Sequence, residues 1–241
     1  MQELIMTTKV ICCNRDELYQ AVTARVAVLL KDAVDNNAKA GFIVPGGTTP
    51  APIFERLSTL PLAWDKISVS ASDERWIDVD SESSNEYLIK HSLLINKAEA
   101  ATYVGLKNDA DTATAGQKKT ERNLKNLALP ATVTLLGMGP DGHVASLFPG
   151  CPQIDDALDL NQKKTCIAID ARGCTVAGEY TERMSLTLSA LINSDLIILL
   201  ITGQEKLDVI NQAIREKMNS SLPVAKILSQ GKTPVEVYWA K

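Results

Sequence analysis

The sequence has few of the residues that mark disulfide-rich, metal-binding, nucleic-acid-binding or membrane-spanning proteins. Its cysteines number five, which is odd, and none of their spacings resembles a paired zinc motif, so we expect reduced thiols. The net charge of -4 and the isoelectric point of about 5.3 leave no basic surplus for nucleic acid or an acidic membrane surface. The longest apolar run, from Leu196 to Ile201, is far too short to span a bilayer.

Processing signals, repeats and three common motifs are also missing. The first residues lack a basic region followed by an apolar core, so we expect no signal peptide and a cytoplasmic protein. No repeat, low-complexity segment or clear linker divides the sequence, which predicts a single α/β domain over residues 1–241. The dinucleotide fingerprint, the Walker loop and the Gly-x-Ser-x-Gly motif are absent, so Ser146 is not expected to act as a nucleophile.

Apolar runs alternate along the chain with stretches of helical spacing. Strands are predicted at residues 42–44, 67–70, 102–104, 133–136, 165–169, 196–201 and 235–239. With helices between them, this alternation predicts an α/β, Rossmann-like fold with a mostly parallel sheet and helices on both faces. Residues 155–182 form the least regular stretch, which would suit an insertion or a mobile loop.

Capping residues predict where several helices begin. Asn14, with Glu17 three residues later, has the pattern of a helix start, and Pro50 is expected at the first position of the following helix. Further helices are predicted over about residues 111–126 and 205–218.

The most informative segment is residues 137–150, which follow the strand predicted at 133–136. It holds four glycines, two prolines and His143, one of two histidines in the chain. Glycines let a chain turn sharply and approach a ligand closely, and a histidine just past a strand end is placed for proton transfer near neutral pH. Taken alone, such a loop is more often a plain strand-to-helix turn.

Two further loops carry residues suited to an anionic ligand. The first lies between a strand and a helix start, where free N–H groups favour a phosphate cradle as much as a capped turn. It runs from Pro45 to Pro50, and its candidate binding residues are Gly46, Gly47, Thr48 and Thr49. The second loop carries Asp73 and Arg75, which either form an exposed charge cluster or hold a substrate and orient a base.

Two cations complete the predicted site. Arg183 precedes a helical or extended segment, and Lys206 falls in the first turn of the predicted helix at 205–218. A cation at that end of a helix opposes the helix dipole, which indicates a functional position as much as a solvated lysine. Because ligands of open α/β sheets bind beyond the carboxyl ends of the strands, the five loops together predict an anion pocket with one base.

These motifs resemble the 6-phosphogluconolactonase family, a branch of the group that also contains glucosamine-6-phosphate deaminase. The resemblance runs from about Val44 to Lys206 and is most specific over residues 137–150, where Val144 replaces the usual threonine. The Asp73-Glu74-Arg75 triplet, Ser84-Asn85 and the Gly203-x-x-Lys206 pattern are similar to the family as well. Before Arg183, Thr181-Glu182 stands in place of the usual proline pair.

The resemblance implies a glucosamine-6-phosphate deaminase-like fold and the hydrolysis of 6-phospho-D-glucono-1,5-lactone, without a metal or an organic cofactor. The expected partner is this small phosphosugar lactone, with no nucleic acid and no membrane, and the protein is expected to be a monomer or a weak homo-oligomer.

We expect each predicted site residue to act on one part of that substrate. His143 would be the general base, and Asp73 would bind sugar hydroxyls or hold the imidazole in the right tautomer. The phosphate would be held by Lys206, Arg183 and the N–H groups of residues 46–49. The oxyanion would be stabilised by Arg75 or by the loop formed by Gly139, Asp141 and Gly142.

Two alternatives remain open at this stage. An isomerase-deaminase of the same fold usually continues after its Gly-His with Asn-Glu-Pro, whereas Ser146-Leu147-Phe148-Pro149 follows here. A non-catalytic sugar-phosphate sensor would carry an added DNA-binding helix-turn-helix. The helix start predicted near Asn14 leaves no room for one, and the negative net charge disfavours DNA binding.

Overall fold

The computed structural model describes residues 7–241, and its main feature is a seven-stranded sheet in which every neighbouring pair of strands is parallel. The strand order is β1-β10-β9-β6-β2-β3-β5, with elements numbered along the chain. The strands are β1 (Thr7–Ile11), β2 (Ala40–Val44), β3 (Ile67–Ala71), β5 (Thr102–Tyr103), β6 (Ala131–Gly137), β9 (Ser194–Thr202) and β10 (Val235–Ala240).

Helices connect these strands and flank the sheet, so the predicted fold class is confirmed. They are α1 (Arg15–Asn37), α2 (Ala51–Ser58), α3 (Asn85–Ser92), α4 (Ala113–Asn123), α5 (Ile154–Ala157), α6 (Leu188–Leu191), α7 (Gln204–Glu216) and α8 (Pro223–Ser229). The Asn14 side chain caps α1 by accepting the N–H of Glu17 at 2.9 Å, as predicted. Pro50 precedes α2 instead of occupying its first position, so that boundary was predicted one residue too early.

A second, smaller sheet is antiparallel and was not predicted. It contains β4 (Asp73–Arg75), β8 (Glu182–Leu186) and β7 (Cys166–Asp170), in that order. The strand predicted at 165–169 therefore belongs to this sheet and not to the parallel one. Antiparallel strands need no helical crossover, and residues 171–181 return the chain directly from β7 to β8. The stretch predicted as irregular, residues 155–182, thus contains an ordered strand.

The core is continuous from α1 to β10. Every residue of β2 and β3 is buried, which matches their short, wholly apolar or small-residue runs. Trp64, Phe42 and Phe54 are among the largest fully buried side chains. Within residues 7–241, none of the helices has the length and apolarity needed to cross a lipid bilayer.

The parallel arrangement determines where a ligand can bind. Because all seven strands run in one direction, their carboxyl ends lie at one edge of the sheet. The segments that follow β2, β3, β6 and β9 therefore converge, although they are far apart in sequence. They begin at residues 45, 72, 138 and 203.

Candidate active site

A cavity of about 590 Å³ lies where these segments meet. It is lined by the loops after β2 and β6, by the first turn of α7, and by the small sheet. Most residues predicted from the sequence reach its wall: Gly46, Gly47, Thr48, Thr49, Asp73, Arg75, Gly139, His143, Arg183 and Lys206. The structure thus brings the predicted cations and the predicted base into one space.

Two predicted residues, Asp141 and Gly142, do not line the cavity. The loop closes on itself, because the N–H of Gly142 donates to the carbonyl of Gly139 at 3.1 Å. The N–H of Gly139 in turn donates to the carbonyl of His143 at 3.0 Å. Both N–H groups donate within the turn in this conformation, and the oxyanion role expected of this loop or of Arg75 stays a prediction. Gly142 serves the turn, with a φ of 76°.

Asp141 instead holds the imidazole of His143. Its Oδ1 lies 2.5 Å from His143 Nδ1, so a protonated Nδ1 donates to the carboxylate and Nε2 is the ring nitrogen left for chemistry. Burial acts to raise the pKa of Asp141, but the hydrogen bond from His143 and its charge outweigh burial and lower that pKa. Sequence reasoning had considered Asp73 for this contact and missed Asp141. The i, i+2 spacing across Gly142 was the available signal.

The ring of Phe148 supports both His143 and Arg183. The centroids of the His143 and Phe148 rings are 4.5 Å apart, and the Arg183 guanidinium carbon lies 5.9 Å from the Phe148 centroid. Gly139 allows the imidazole to approach the backbone closely, since an added Cβ there would come within 2.1 Å of His143 Cε1. Asp141, Phe148 and Gly139 therefore together fix the position of the imidazole.

The three side chains of the short strand β4, those of Asp73, Glu74 and Arg75, do not all face the cavity. Side chains alternate along a strand, so Asp73 and Arg75 reach the cavity while Glu74 points away from it. The buried Glu74 carboxylate accepts the N–H groups of Asn85 and Glu86 at 2.8 and 2.7 Å, at the start of α3. Burial raises its pKa, and these hydrogen bonds offset part of the effect. Glu74 therefore orients α3.

Asp73 is buried and is held by several donors. Its Oδ2 accepts the hydroxyl of Ser146 at 2.6 Å, and its Oδ1 accepts Asn85 Nδ2 at 3.3 Å. Asn85 also donates to the Asp73 carbonyl at 2.8 Å, so it ties the carboxylate to α3. Within residues 7–241, the hydrogen bonds of Asp73 do not include one to His143, and the expected tautomer role of Asp73 is replaced by that of Asp141.

Arg183 lies on β8, directly opposite Arg75 in the antiparallel pairing, and not in a loop after a strand. Its guanidinium is buried, which lowers its pKa; the charge of Asp73 opposes this shift and that of Arg75 adds to it. Nε donates to the carbonyl of Tyr180 at 2.5 Å, and Nη2 donates to that of Ala177 at 2.6 Å. Nη1 lies 3.7 Å from Asp73 Oδ2.

The loop after β2 has the free donors of an anion cradle. The N–H groups of residues 46–49 donate to no backbone acceptor within the described part of the chain. Gly46 is required by packing, since an added Cβ would come within 1.9 Å of Asn85 Oδ1, and Gly47 has a φ of 86°. Unpaired N–H groups at one concave turn are suited to phosphate oxygens.

Two cationic side chains complete this region. Lys206 lies in the first turn of α7, as predicted, and half of it is buried; burial is the one cause that lowers its pKa. Arg75 Nη1 donates to the carbonyl of Ser83, whereas its buried Nε has no hydrogen-bond partner among residues 7–241. A buried unpaired N–H is costly, and this one belongs to a side chain that lines the cavity.

Between positions 7 and 241, no group of three or more His, Cys, Asp or Glu side chains is arranged to hold an ion. The second histidine, His91, lies on α3 outside the cavity and stacks on Tyr87 with ring centroids 3.9 Å apart. The chemical resources of the cavity are thus an oriented imidazole, a buried carboxylate and several cationic or N–H donors.

The chain is similar to known proteins over nearly its whole length. A family profile described as glucosamine-6-phosphate isomerases/6-phosphogluconolactonase matches residues 13–239. A 6-phosphogluconolactonase of Caulobacter vibrioides is 38% identical over 228 residues, which are 95% of each chain. The crystal structure of a 6-phosphogluconolactonase from Shewanella baltica superimposes with a TM-score of 0.92 at 35% identity, over 99% of each chain.

The same fold also occurs in a second enzyme class. A solved monomeric glucosamine-6-phosphate deaminase is 18% identical, with a TM-score of 0.78, over 98% of each chain. At that identity the likeness concerns the fold alone.

Proposed function

The chain belongs to the family of glucosamine-6-phosphate isomerases and 6-phosphogluconolactonases, and from this premise we propose that it hydrolyses 6-phospho-D-glucono-1,5-lactone to 6-phosphogluconate. This reaction belongs to the pentose phosphate pathway. The relatives with 33–38% identity that support the proposal all carry the name 6-phosphogluconolactonase.

The observation that carries the mechanism is the contact of 2.5 Å between Asp141 and His143 on the cavity wall. With Nδ1 engaged as donor, neutral His143 accepts a proton from water at Nε2 while the water oxygen bonds to the lactone carbonyl carbon. General base catalysis of this kind contributes about 10²–10⁴-fold. Asp141 stabilises the imidazolium that forms, because its carboxylate stays ionised.

The phosphate end of the substrate orients the carbonyl. Lys206 and the N–H groups of the Gly46–Thr49 loop bind the dianion through charge-assisted hydrogen bonds, about twice as strong as neutral ones. Anchoring one end of the sugar makes the attack effectively intramolecular. Arg75, whose guanidinium lines the cavity, offers positive charge to the anionic substrate, at the phosphate or at the developing oxyanion.

Collapse of the tetrahedral intermediate completes the reaction. The bond between the carbonyl carbon and the ring oxygen breaks, and His143 returns its proton to that oxygen, which becomes a hydroxyl group. Asp73, already held by Ser146 and Asn85, accepts hydrogen bonds from sugar hydroxyls with its remaining lone pairs. The acid product loses its proton to solvent, so no covalent enzyme intermediate is needed.

We also propose a domain organisation, a cellular location and a binding partner for this protein. One continuous core supports a single domain, and five free thiols support a reducing, cytoplasmic environment. The proposed partner is the phosphosugar lactone, bound by a monomer or a weak homo-oligomer.

The test is a coupled assay. The lactone is generated from glucose 6-phosphate by its dehydrogenase, and product is followed with 6-phosphogluconate dehydrogenase after subtraction of spontaneous hydrolysis. We expect turnover that saturates with substrate. Ammonia release from glucosamine 6-phosphate would instead identify a deaminase, and binding of 6-phosphogluconate without turnover would identify a sensor.

A further inference from the structure

A tight turn at residues 144–147 follows the base and holds a strained residue. The turn is closed by a hydrogen bond of 3.0 Å from the N–H of Leu147 to the carbonyl of Val144. Inside it Ala145 has a φ of 50°, whereas Ser146 does not have a positive φ. This combination is typical of a type II′ turn, whose first central position favours glycine. An alanine at that position is strained, and such strain persists where the surroundings enforce it, often at functional sites.

The surroundings hold the peptide groups on both sides of Ala145. The peptide group before it is held through the Val144 carbonyl, which accepts the bond that closes the turn. The peptide group after it is held through the N–H of Ser146, which donates to Ser185 Oγ on β8 at 3.2 Å. Ser146 is fully buried, and its hydroxyl donates to Asp73 at 2.6 Å. The turn, and with it the N–H of Ala145, therefore has a fixed position before any ligand binds.

The N–H of Ala145 has no acceptor within the protein. The N–H groups of Gly139, Gly142 and His143 all donate to atoms of their own loop. By contrast, the hydrogen bonds formed among residues 7–241 include none from the N–H of Ala145, a half-buried residue that lines the cavity. Backbone N–H groups away from bulk water are nearly always paired, so an unpaired one on a cavity wall suits an acceptor on the ligand.

We propose that the N–H of Ala145 is a catalytic donor that stabilises the oxyanion of the tetrahedral intermediate. As the water oxygen bonds to the carbonyl carbon, His143 takes the water proton and the carbonyl electron pair moves onto oxygen, where this N–H donates to it. The pair returns when the bond to the ring oxygen breaks. A donor fixed in advance needs no reorganisation during the reaction, and it acts together with the charge of Arg75. This inference rests on the proposed function, which supplies the carbonyl.

An ester at position 145 removes the donor and little else. Ala145 is replaced by its α-hydroxy analogue, lactic acid, through amber suppression, which exchanges the N–H for an oxygen atom and keeps the methyl group. We expect kcat to fall about 10²–10³-fold, the usual effect of losing one oxyanion donor. The KM and the inhibition constant of inorganic phosphate should stay within about threefold, because the donor acts on the transition state and not on the phosphate.

The same exchange at Ala63 is the matched control. Ala63 is exposed and outside the cavity lining, and in the described chain its N–H also donates to no acceptor. An ester weakens the carbonyl before it, and at both positions that carbonyl accepts one backbone N–H, at 2.9 Å for Leu62 and 3.0 Å for Val144. The ester at Ala63 should therefore keep wild-type kcat.

A second measurement uses the unmodified protein and needs no turnover. With alanine and glycine labelled by ¹⁵N, the N–H signal of Ala145 should move when 6-phosphogluconate is added, because a carboxylate oxygen of this product occupies the place of the oxyanion. Inorganic phosphate should leave that signal unchanged. The N–H signal of Gly47, in the proposed phosphate cradle, should move with both ligands.

Three results would overturn the inference. The first is a kcat within threefold of wild type for the ester at position 145. The second is a rise in KM of that variant with unchanged kcat, which would show that the N–H binds a sugar hydroxyl in the ground state. The third is a fixed Ala145 signal while 6-phosphogluconate moves that of Gly47, which also decides the question if the ester variant does not fold. Absence of lactone hydrolysis by the wild type would contradict the proposed function instead.

Discussion

Arg75 and Arg183 lie directly opposite each other on the antiparallel strands β4 and β8, and both line the same cavity. Like charges in register across a strand pair are destabilising by about 0.2–1 kcal/mol, so packing alone gives no reason for this arrangement. One buried carboxylate, Asp73, lies beside Arg183 and offsets part of the charge. The uncompensated remainder favours an anion in the cavity, and it explains why a protein with net charge -4 can bind a phosphate ester.

Replacement of His143 tests the base. His143→Asn should lower kcat about 10²–10⁴-fold and leave the affinity for 6-phosphogluconate, measured by calorimetry, nearly unchanged, because the amide cannot accept the proton from water. The matched control is His91→Asn, on the outer face of α3, which should keep wild-type kcat. A kcat within threefold of wild type for His143→Asn would remove the base role.

Replacement of Asp141 tests the orientation of the imidazole. In Asp141→Asn an amide N–H faces Nδ1, which favours the tautomer with its proton on Nε2 and blocks proton acceptance there. The same change in serine proteases lowers kcat about 10⁴-fold, so we expect a fall of about 10²–10⁴-fold with little change in KM. Asp155→Asn, at an exposed acid of α5, is the control and should behave as wild type. A large rise in KM with normal kcat would contradict the orienting role.

The buried position of Lys206 predicts a pH dependence of phosphate binding. Burial lowers its pKa, so the ammonium loses its proton at a lower pH than an ordinary lysine. The dissociation constant of 6-phosphogluconate should therefore rise about 10–100-fold as pH increases through that lowered pKa. The product is used because the lactone hydrolyses by itself in alkali. Lys206→Arg should keep its affinity over the same range, and Lys206→Ala should raise KM already at neutral pH; an unchanged KM would exclude Lys206 from the site.

Replacement of Ser146 separates support from nucleophilic attack. Its hydroxyl is buried outside the cavity lining and donates to Asp73 at 2.6 Å. Ser146→Ala removes the shortest hydrogen bond of that buried carboxylate, which should lower the free energy of unfolding by about 1–3 kcal/mol in urea titrations while most turnover survives. Ser221→Ala, at an exposed serine, should change stability by less than about 0.5 kcal/mol. Complete loss of turnover with native stability would instead indicate a nucleophile.

The parallel sheet and much of the site could be predicted because their signals are local. Apolar runs mark β2, β3, β6, β9 and β10, and the Asn14 cap lies within three residues of the N–H it binds. Parallel strand order then forces their carboxyl ends together. The edge strand β1 was missed, since Thr7–Ile11 is largely polar and half-exposed and lacks such a run.

The small sheet could not be predicted because its pairing is non-local. Asp73–Arg75 is three charged residues with no apolar alternation, and it becomes a strand by pairing with Arg183–Ser185, more than a hundred residues later. For the same reason the sequence gives no sign that Arg183 faces Arg75, or that Arg183 donates to the carbonyls of Ala177 and Tyr180.

The candidate site draws its residues from both sheets. Asp73, Arg75 and Arg183 are carried by the three-stranded sheet, whereas His143 and its partner Asp141 follow a central strand of the seven-stranded one. Because Ser146, in the loop that carries His143, bonds to Asp73 of β4 and to Ser185 of β8, redesign of the smaller sheet has to preserve these contacts if the imidazole is to stay in place.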